Sequence, residues 1–145
     1  RICRAIPLPF VEHGNDAVPV FPPMPEAMQL FGALGQAIPV EDRAAFDAYA
    51  ALSALMGTYF GIIEMAQDWA VAQGLPESDA RAYLGRLFAN LGSVLQASPL
   101  SLADLRHDHS TEGGLNEQAF AEFMKAGGAT ALTGALSFVL RRIAG

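Results

Sequence analysis

The chemistry open to this sequence is concentrated in one stretch, Ser110-Thr111-Glu112-Gly113-Gly114-Leu115-Asn116-Glu117. Two adjacent glycines let the backbone turn through positive φ and leave its amides uncovered by side chains. A helix starting directly after them offers unpaired N–H groups and the positive end of its dipole. Together these form a small anion site suited to a carboxylate or a phosphate. The same residues also read as a plain connecting turn with Asn116 as the N-cap of the next helix. On this stretch alone both readings stand.

Other reactive side chains are scattered. His107-Asp108-His109 brings two imidazoles close in sequence, but residues two apart on a helix point away from each other. That pattern suits a solvated helix end better than a metal site. His13 stands alone. Glu64 lies in an otherwise apolar helix and needs a polar gap, a partner or a raised pKa there. Ser53, Thr58 and Tyr59 cluster near a glycine and are candidates to line a pocket, although Tyr59 reads more simply as a core ring with its hydroxyl paired. No phosphate loop or G-x-G-x-x-G fingerprint occurs in the 145 residues, so the chain shows no nucleotide site of its own.

Composition narrows the class. The chain is 52% hydrophobic and 17% charged, against about 25% charged in a typical domain. That is more apolar surface than one domain hides, which predicts an oligomer interface. A net charge of -6 and a pI near 4.9 argue against nucleic-acid binding, which needs clustered Lys and Arg. No basic amphipathic stretch suggests a membrane surface. The uncharged apolar run Ala48 to Ile63 falls short of the roughly 20 residues of a span and reads as a buried helix. With Cys3 as the sole cysteine, a reducing cytoplasm is expected.

The elements that must position the glycine turn fall into two groups. Up to Val40 the chain has β/α character: a strand at Arg1 to Ile6, a loop at Val11 to Asp16 turning at Gly14-Asn15-Asp16, a strand at Ala17 to Phe21, a helix at Pro25 to Leu34 and a strand at Ala37 to Val40. Proline cannot donate to a ladder, so Pro7, Pro9 and Pro22-Pro23 end the strands. From Asp42 helical spacing takes over. Helices are predicted at Asp42 to Leu55, at Thr58 to Gln73 with a kink at Gly57, and at Pro76 to Ala97. A short helix capped by Ser101 follows, then helices at Asn116 to Ala126 and Ala129 to Ile143. The helix at Thr58 to Gln73 is apolar nearly all round, which predicts burial on several sides. The fold expected is mainly α, a helical bundle preceded by a short β/α remnant. Arg1 in place of an initiator Met, and a strand with no preceding turn, suggest part of a longer protein.

The order of these features resembles the pyrroline-5-carboxylate reductase family over essentially the whole chain. Arg4-Ala5-Ile6-Pro7 with Gly14 downstream is similar to the family's R-x-M-P-N-T-P…G. Phe31-x-x-Leu34-Gly35 with Ile38-Pro39-Val40 is similar to F-x-x-L-G-x-x-x-x-V. Ala51-Leu52-Ser53 and Tyr59 fall where the family has A-L-S-G-S-G-P-A-Y. Ala72-x-Gly74-Leu75-Pro76 is similar to A-x-x-x-G-L-P. Asp104-Leu105-Arg106 through Gly113-Gly114 sits where it has E-L-R…T-S-P-G-G-T-T. Three departures fall on the pocket. Leu8-Pro9-Phe10 replaces Asn-Thr-Pro, Ala54-Leu55-Met56-Gly57 replaces Gly-Ser-Gly-Pro, and Thr111 to Asn116 replaces Ser-Pro-Gly-Gly-Thr-Thr.

The resemblance implies residues 1–40 as the end of a Rossmann-type dinucleotide-binding domain and residues 41–145 as a helical dimerisation and substrate-loop domain. It implies reduction of a cyclic imine, or a related imino or keto acid, by NADP or NAD bound mainly by sequence upstream of Arg1. Thr111, Gly113, Gly114 and Leu115 are then the substrate-carboxylate loop, and Asn116 stands near the reacting nitrogen as the catalytic candidate. The partners implied are a second copy of the chain, through interlocked helices, and a small carboxylate. A non-catalytic oligomerisation module is the alternative. A 3-hydroxyacid or imine reductase type would need a lysine on the long helix, whereas Lys125, the only lysine, lies outside it.

Overall fold

The structure is a computed structural model that describes residues 2–14 and 16–145. Arg1 and Asn15 lie outside the described residues, and with them the start of the first expected strand and the middle of the first expected turn. By internal contacts the chain divides into Arg1–Met56 with Leu132–Gly145, and Gly57–Ala131.

The first unit holds a three-stranded sheet in the order β1 (Arg4–Ala5), β2 (Asp16–Phe21), β3 (Gly35–Pro39), with α1 (Pro25–Gly32) crossing between β2 and β3. β2 and β3 run parallel, Asp16 opposite Gly35 through Val20 opposite Pro39, and β1 runs antiparallel to β2. Val18 and Val20 are fully buried, and Phe21 packs on Phe46 with ring centroids 5.8 Å apart. Pro19 sits in this central strand. Its carbonyl accepts from the Ile6 amide at 3.2 Å, so its missing N–H falls on the side of the short β1, where only half a pairing is lost.

Two features shape the loop before β2. Residues Pro9–His13 form a 3-10 helix ending at Gly14 with φ 65°, which takes in the first part of the loop expected at Val11 to Asp16. Asp16, 7% exposed, accepts from the amides of Leu8 and Ala17 at 2.9 Å each. The buried carboxylate thus clamps the loop to the sheet and satisfies amides that no strand reaches. Gly35 opens β3 because a Cβ there would collide with the Asp16 backbone.

The helices after β3 are α2 (Arg43–Ser53), α3 (Leu55–Ala72), α4 (Glu77–Ala97), α5 (Leu102–Asp108), α6 (Leu115–Lys125) and α7 (Gly128–Ala144). The mainly α fold with a short β/α start is therefore present. Asp42 caps α2, accepting from the Ala45 amide at 3.0 Å, and Arg43 Nε donates to both oxygens of the buried Asp47 at 3.0 Å. Within the first unit the C-terminal half of α7 returns to α2, where Ala48, Ala51, Leu52, Leu136, Ser137 and Leu140 line an apolar cavity of about 230 Å³.

Two expectations are corrected. The helix break lies at Ala54 and not at Gly57, which sits inside α3. The Ser53 hydroxyl donates to the Ala50 carbonyl at 2.7 Å and the Ala54 amide turns back to Ala51. A side chain competing for a helix carbonyl, followed by a tightened turn, interrupts the ladder without a glycine. Burial is the second correction. No residue of α3 is buried and Ala80 is the sole buried residue of α4, with Trp69 68% and Tyr83 70% exposed. The apolar faces were read correctly as faces, but among the described residues they are covered only in part, as where Tyr59 packs on Phe88. Residues 43–72 taken together are also long and apolar enough to cross a membrane, so composition does not by itself tell a lipid cover from a protein one.

Candidate functional site

The site is built where α5 hands over to α6, within the second unit. Ser101 starts α5 by accepting from the Asp104 amide at 3.1 Å while its hydroxyl donates to the Asp104 carboxylate at 2.6 Å. This satisfies one orphan donor of the first turn. The helix ends at His109, whose amide donates to the Leu105 carbonyl at 3.1 Å and whose Nδ1 lies 2.8 Å from the same oxygen. Arg106 stacks over Phe120 of α6 at 5.0 Å from the ring centroid, so the two helices flanking the turn also touch through a cation–π contact.

Between them, the Ser110 amide donates to His107 and the Gly114 amide to the Thr111 carbonyl at 2.7 Å. Gly113 takes φ 67°, the left-handed region that glycine enters at no steric cost. Gly114 is extended at φ -81°, ψ 170° and is itself the N-cap of α6. The helix therefore begins one residue earlier than the sequence suggested, and Asn116 is its second residue and not its cap. Gly114 brings no side chain to cap the first turn, so the amides of Leu115, Asn116 and Glu117 open at a positive helix end.

Of the residues expected at the site, Thr111, Gly113, Gly114, Leu115 and Asn116 lie together in this turn. Thr111 contributes its carbonyl to hold Gly114. Leu115 projects 84% exposed. Asn116 donates its Nδ2 to the His109 carbonyl at 2.7 Å, which closes the loop across seven residues and leaves its Oδ1 as the group with acceptor capacity. Two side chains went unnoticed in the sequence. Glu117 accepts from the Gly113 amide at 2.6 Å, and Gln118 Nε2 donates to the Gly113 carbonyl at 2.7 Å. With the cap placed at Gly114, Glu117 falls at the third helical position, where acidic and amide side chains reach back over a helix start. That spacing was the available signal.

The remaining candidates disperse. Among the described residues no group of three His, Cys, Asp or Glu is placed to hold a metal ion, and His107 is exposed beside Asp108 at 3.9 Å. Glu64 is exposed on an open groove of about 260 Å³ with Phe60, Ile63, Gln67 and Arg81. It answers the question of a buried charge by not being buried. Ser53 joins Ile6, Pro19, Ile38, Tyr49 and Leu52 around an apolar cavity of about 220 Å³, but its hydroxyl is spent on Ala50 and neither Thr58 nor Tyr59 lines that space. Tyr59 is 42% exposed and packs edge-on to Phe60 and Phe88.

The sequence profile for pyrroline-5-carboxylate reductase dimerisation matches residues 43–144. The chain belongs to that family. The matched region runs from the start of α2 to the end of α7, and the glycine turn lies inside it. The fold agrees with solved pyrroline-5-carboxylate reductases. The enzyme from Coxiella burnetii superposes with a TM-score of 0.83 at 23% identity, over 99% of this chain and 56% of that one. The Plasmodium falciparum pyrroline carboxylate reductase, solved with NADP bound, superposes at 0.80 and 13% identity, over 97% and 58%. The Streptococcus pyogenes reductase does so at 0.83 and 17%, over 97% and 57%. The chain therefore spans a little more than half the length of each. Among curated proteins none is similar enough to count as a match. A pyrroline-5-carboxylate reductase dimerisation domain also explains the uncovered apolar faces of α3 and α4 more simply than a lipid cover does.

Proposed function

We propose that this chain is the C-terminal part of an NAD(P)H-dependent reductase that acts on a cyclic imine or a related imino or keto acid, and that it works as a homodimer. The observation that carries the reading is the family match over residues 43–144, with an amide-rich glycine turn inside the matched region. In this reading residues 1–40 complete a dinucleotide-binding domain and residues 41–145 form the dimerisation and substrate-loop domain. The change from sheet to helices after Pro39 supports that division.

The loop's task follows from its geometry. Amides at the start of α6 and at Gly113 hold the substrate carboxylate, and the hydroxyl of Thr111 stands at the same turn. Asn116, braced on His109, presents its Oδ1 as an acceptor toward the N–H of an iminium or amine. Leu115 offers an apolar surface to the substrate's carbon skeleton. The residues of this chain do not fit a nucleotide site, since no glycine-rich strand-to-helix turn for a pyrophosphate is present. Hydride delivery belongs to NADP or NAD held elsewhere in the protein, and no step of it is assigned to these residues. The half-buried, unpaired Cys3 suits a reducing cytoplasm, and the acidic chain is not matched to nucleic acid.

Homodimer formation is supported by large apolar side chains left exposed on α3 and α4, among them Trp69 at 68% and Tyr83 at 70%, and by the match to a family of dimerisation domains. The test is to express the complete reading frame that contains this chain and follow NADPH absorbance with a panel of cyclic imines and imino acids. Oxidation with at least one of them is expected. Silence across the panel defeats the reductase reading and leaves the oligomerisation module in its place, a reading favoured by the engagement of both Asn116 Nδ2 and the Gly113 amide within the loop itself.

A further inference from the structure

Both glycine amides of the turn already have acceptors, and the two acceptors differ in kind. Gly114 donates to a backbone carbonyl, Thr111, at 2.7 Å. That bond is part of the turn and cannot be exchanged without unmaking it. Gly113 donates at 2.6 Å to Oε2 of Glu117, an exposed side chain free to rotate about its own bonds. The Gly113 carbonyl, on the following peptide unit, is held separately by Gln118 at 2.7 Å. The chain has thus placed one of its own carboxylates on the donor that an incoming carboxylate would use.

We propose that Glu117 is an internal competitor that sets the charge selectivity of this loop: any ligand gains the Gly113 amide only by displacing the Glu117 carboxylate, and at the first-turn amides of α6 an anionic ligand, unlike a neutral one, meets a like charge. This rests on the carboxylate-loop reading above. A ligand that binds the first-turn amides of α6 while Glu117 stays in place lies beside a like charge. One that takes Gly113 must exchange an intramolecular charge-assisted hydrogen bond for an intermolecular one. The first route weakens anion binding relative to an uncharged isostere, because only the anion meets the Glu117 charge. Pyrroline-5-carboxylate-type acids are then poorer ligands for this loop than its glycines alone suggest.

The test is NMR on the ¹⁵N-labelled chain, following the amides of Gly113, Leu115 and Asn116 during titration with acetate and, separately, acetamide. Glu117→Gln keeps a capping side chain at the third helical position but removes the charge. Its acetate Kd should fall about fivefold relative to the unsubstituted chain, the effect of one solvent-exposed like charge at about 4 Å, while acetamide binding stays within about twofold. Glu112→Gln removes an equal charge from the same turn and should change neither by more than about twofold. If amide dispersion shows Glu117→Gln to be unfolded, Glu117→Ala takes its place with the same expectation. An acetate-to-acetamide ratio unchanged in the Glu117 variant overturns the proposal, as does an equal shift in Glu112→Gln. Acetate that moves no loop amide in any variant defeats the carboxylate-loop reading itself, and the proposal with it.

Discussion

Gly113 and Gly114 stand side by side for different reasons, and substitution separates them. Gly113 needs its positive φ of 67° but has open space where a Cβ would go. Gly114 has an ordinary φ, yet a Cβ there would lie 2.8 Å from the Thr111 carbonyl oxygen, an atom held by the turn's own hydrogen bond. Gly113→Ala should cost about 1 kcal/mol, the strain of a left-handed alanine. Gly114→Ala should cost more, about 2 kcal/mol, because backbone must move. Urea unfolding of the two variants checks the order, and the reverse order would show that the turn relaxes around Gly114. Asn116 tests function against structure at the same scale. Its exposed bond to His109 accounts for about 1 kcal/mol. Asn116→Ala in the complete protein should therefore lower turnover well beyond what that small loss of stability explains. A proportionate loss of both would make Asn116 a brace alone.

At the scale of elements, the joint between α6 and α7 is closely packed. Gly128 opens α7 and is buried, with the Phe123 ring lying where its Cβ would be. Gly128→Ala should destabilise by about 1–3 kcal/mol, and adding Phe123→Leu should recover part of it by freeing that space. Calorimetric unfolding of the single and double variants measures the coupling, and strict additivity would show that ring and glycine are independent. The joint explains why the glycine pair Gly127-Gly128 was legible as a break but not as a packing site. A break is a local backbone property, whereas contact with Phe123 depends on how the two helices fold back. The same holds at Ser53-Ala54. The sequence pointed to Gly57 on propensity, and the structure put the break three residues earlier because a serine hydroxyl took a helix carbonyl.

For the whole molecule the central quantity is uncovered apolar surface. Trp69 of α3 and Tyr83 of α4 project into solvent, and the family is one of dimerisation domains. Light scattering should give a mass twice 15.3 kDa down to low concentration. A stable, soluble monomer contradicts the dimer. Trp69→Ala should weaken association about thirtyfold, as expected for an interface anchor of about 2 kcal/mol, and analytical ultracentrifugation reads that change. A Kd within twofold of the unsubstituted chain would place Trp69 at the rim.

The sequence by itself determined the order of elements and which helix faces are apolar. It also carried the family resemblance and the position of the glycine turn, because these depend on residue type and short-range spacing. The exact helix starts followed only from hydrogen-bond geometry, which moved the α6 cap from Asn116 to Gly114. Tertiary structure alone returned the end of α7 to α2, put Asp16 under the loop before β2, and laid Glu117 on the Gly113 amide. Each of these joins groups through space, and residue type and spacing along the chain do not fix which partner a carboxylate or an apolar face will meet.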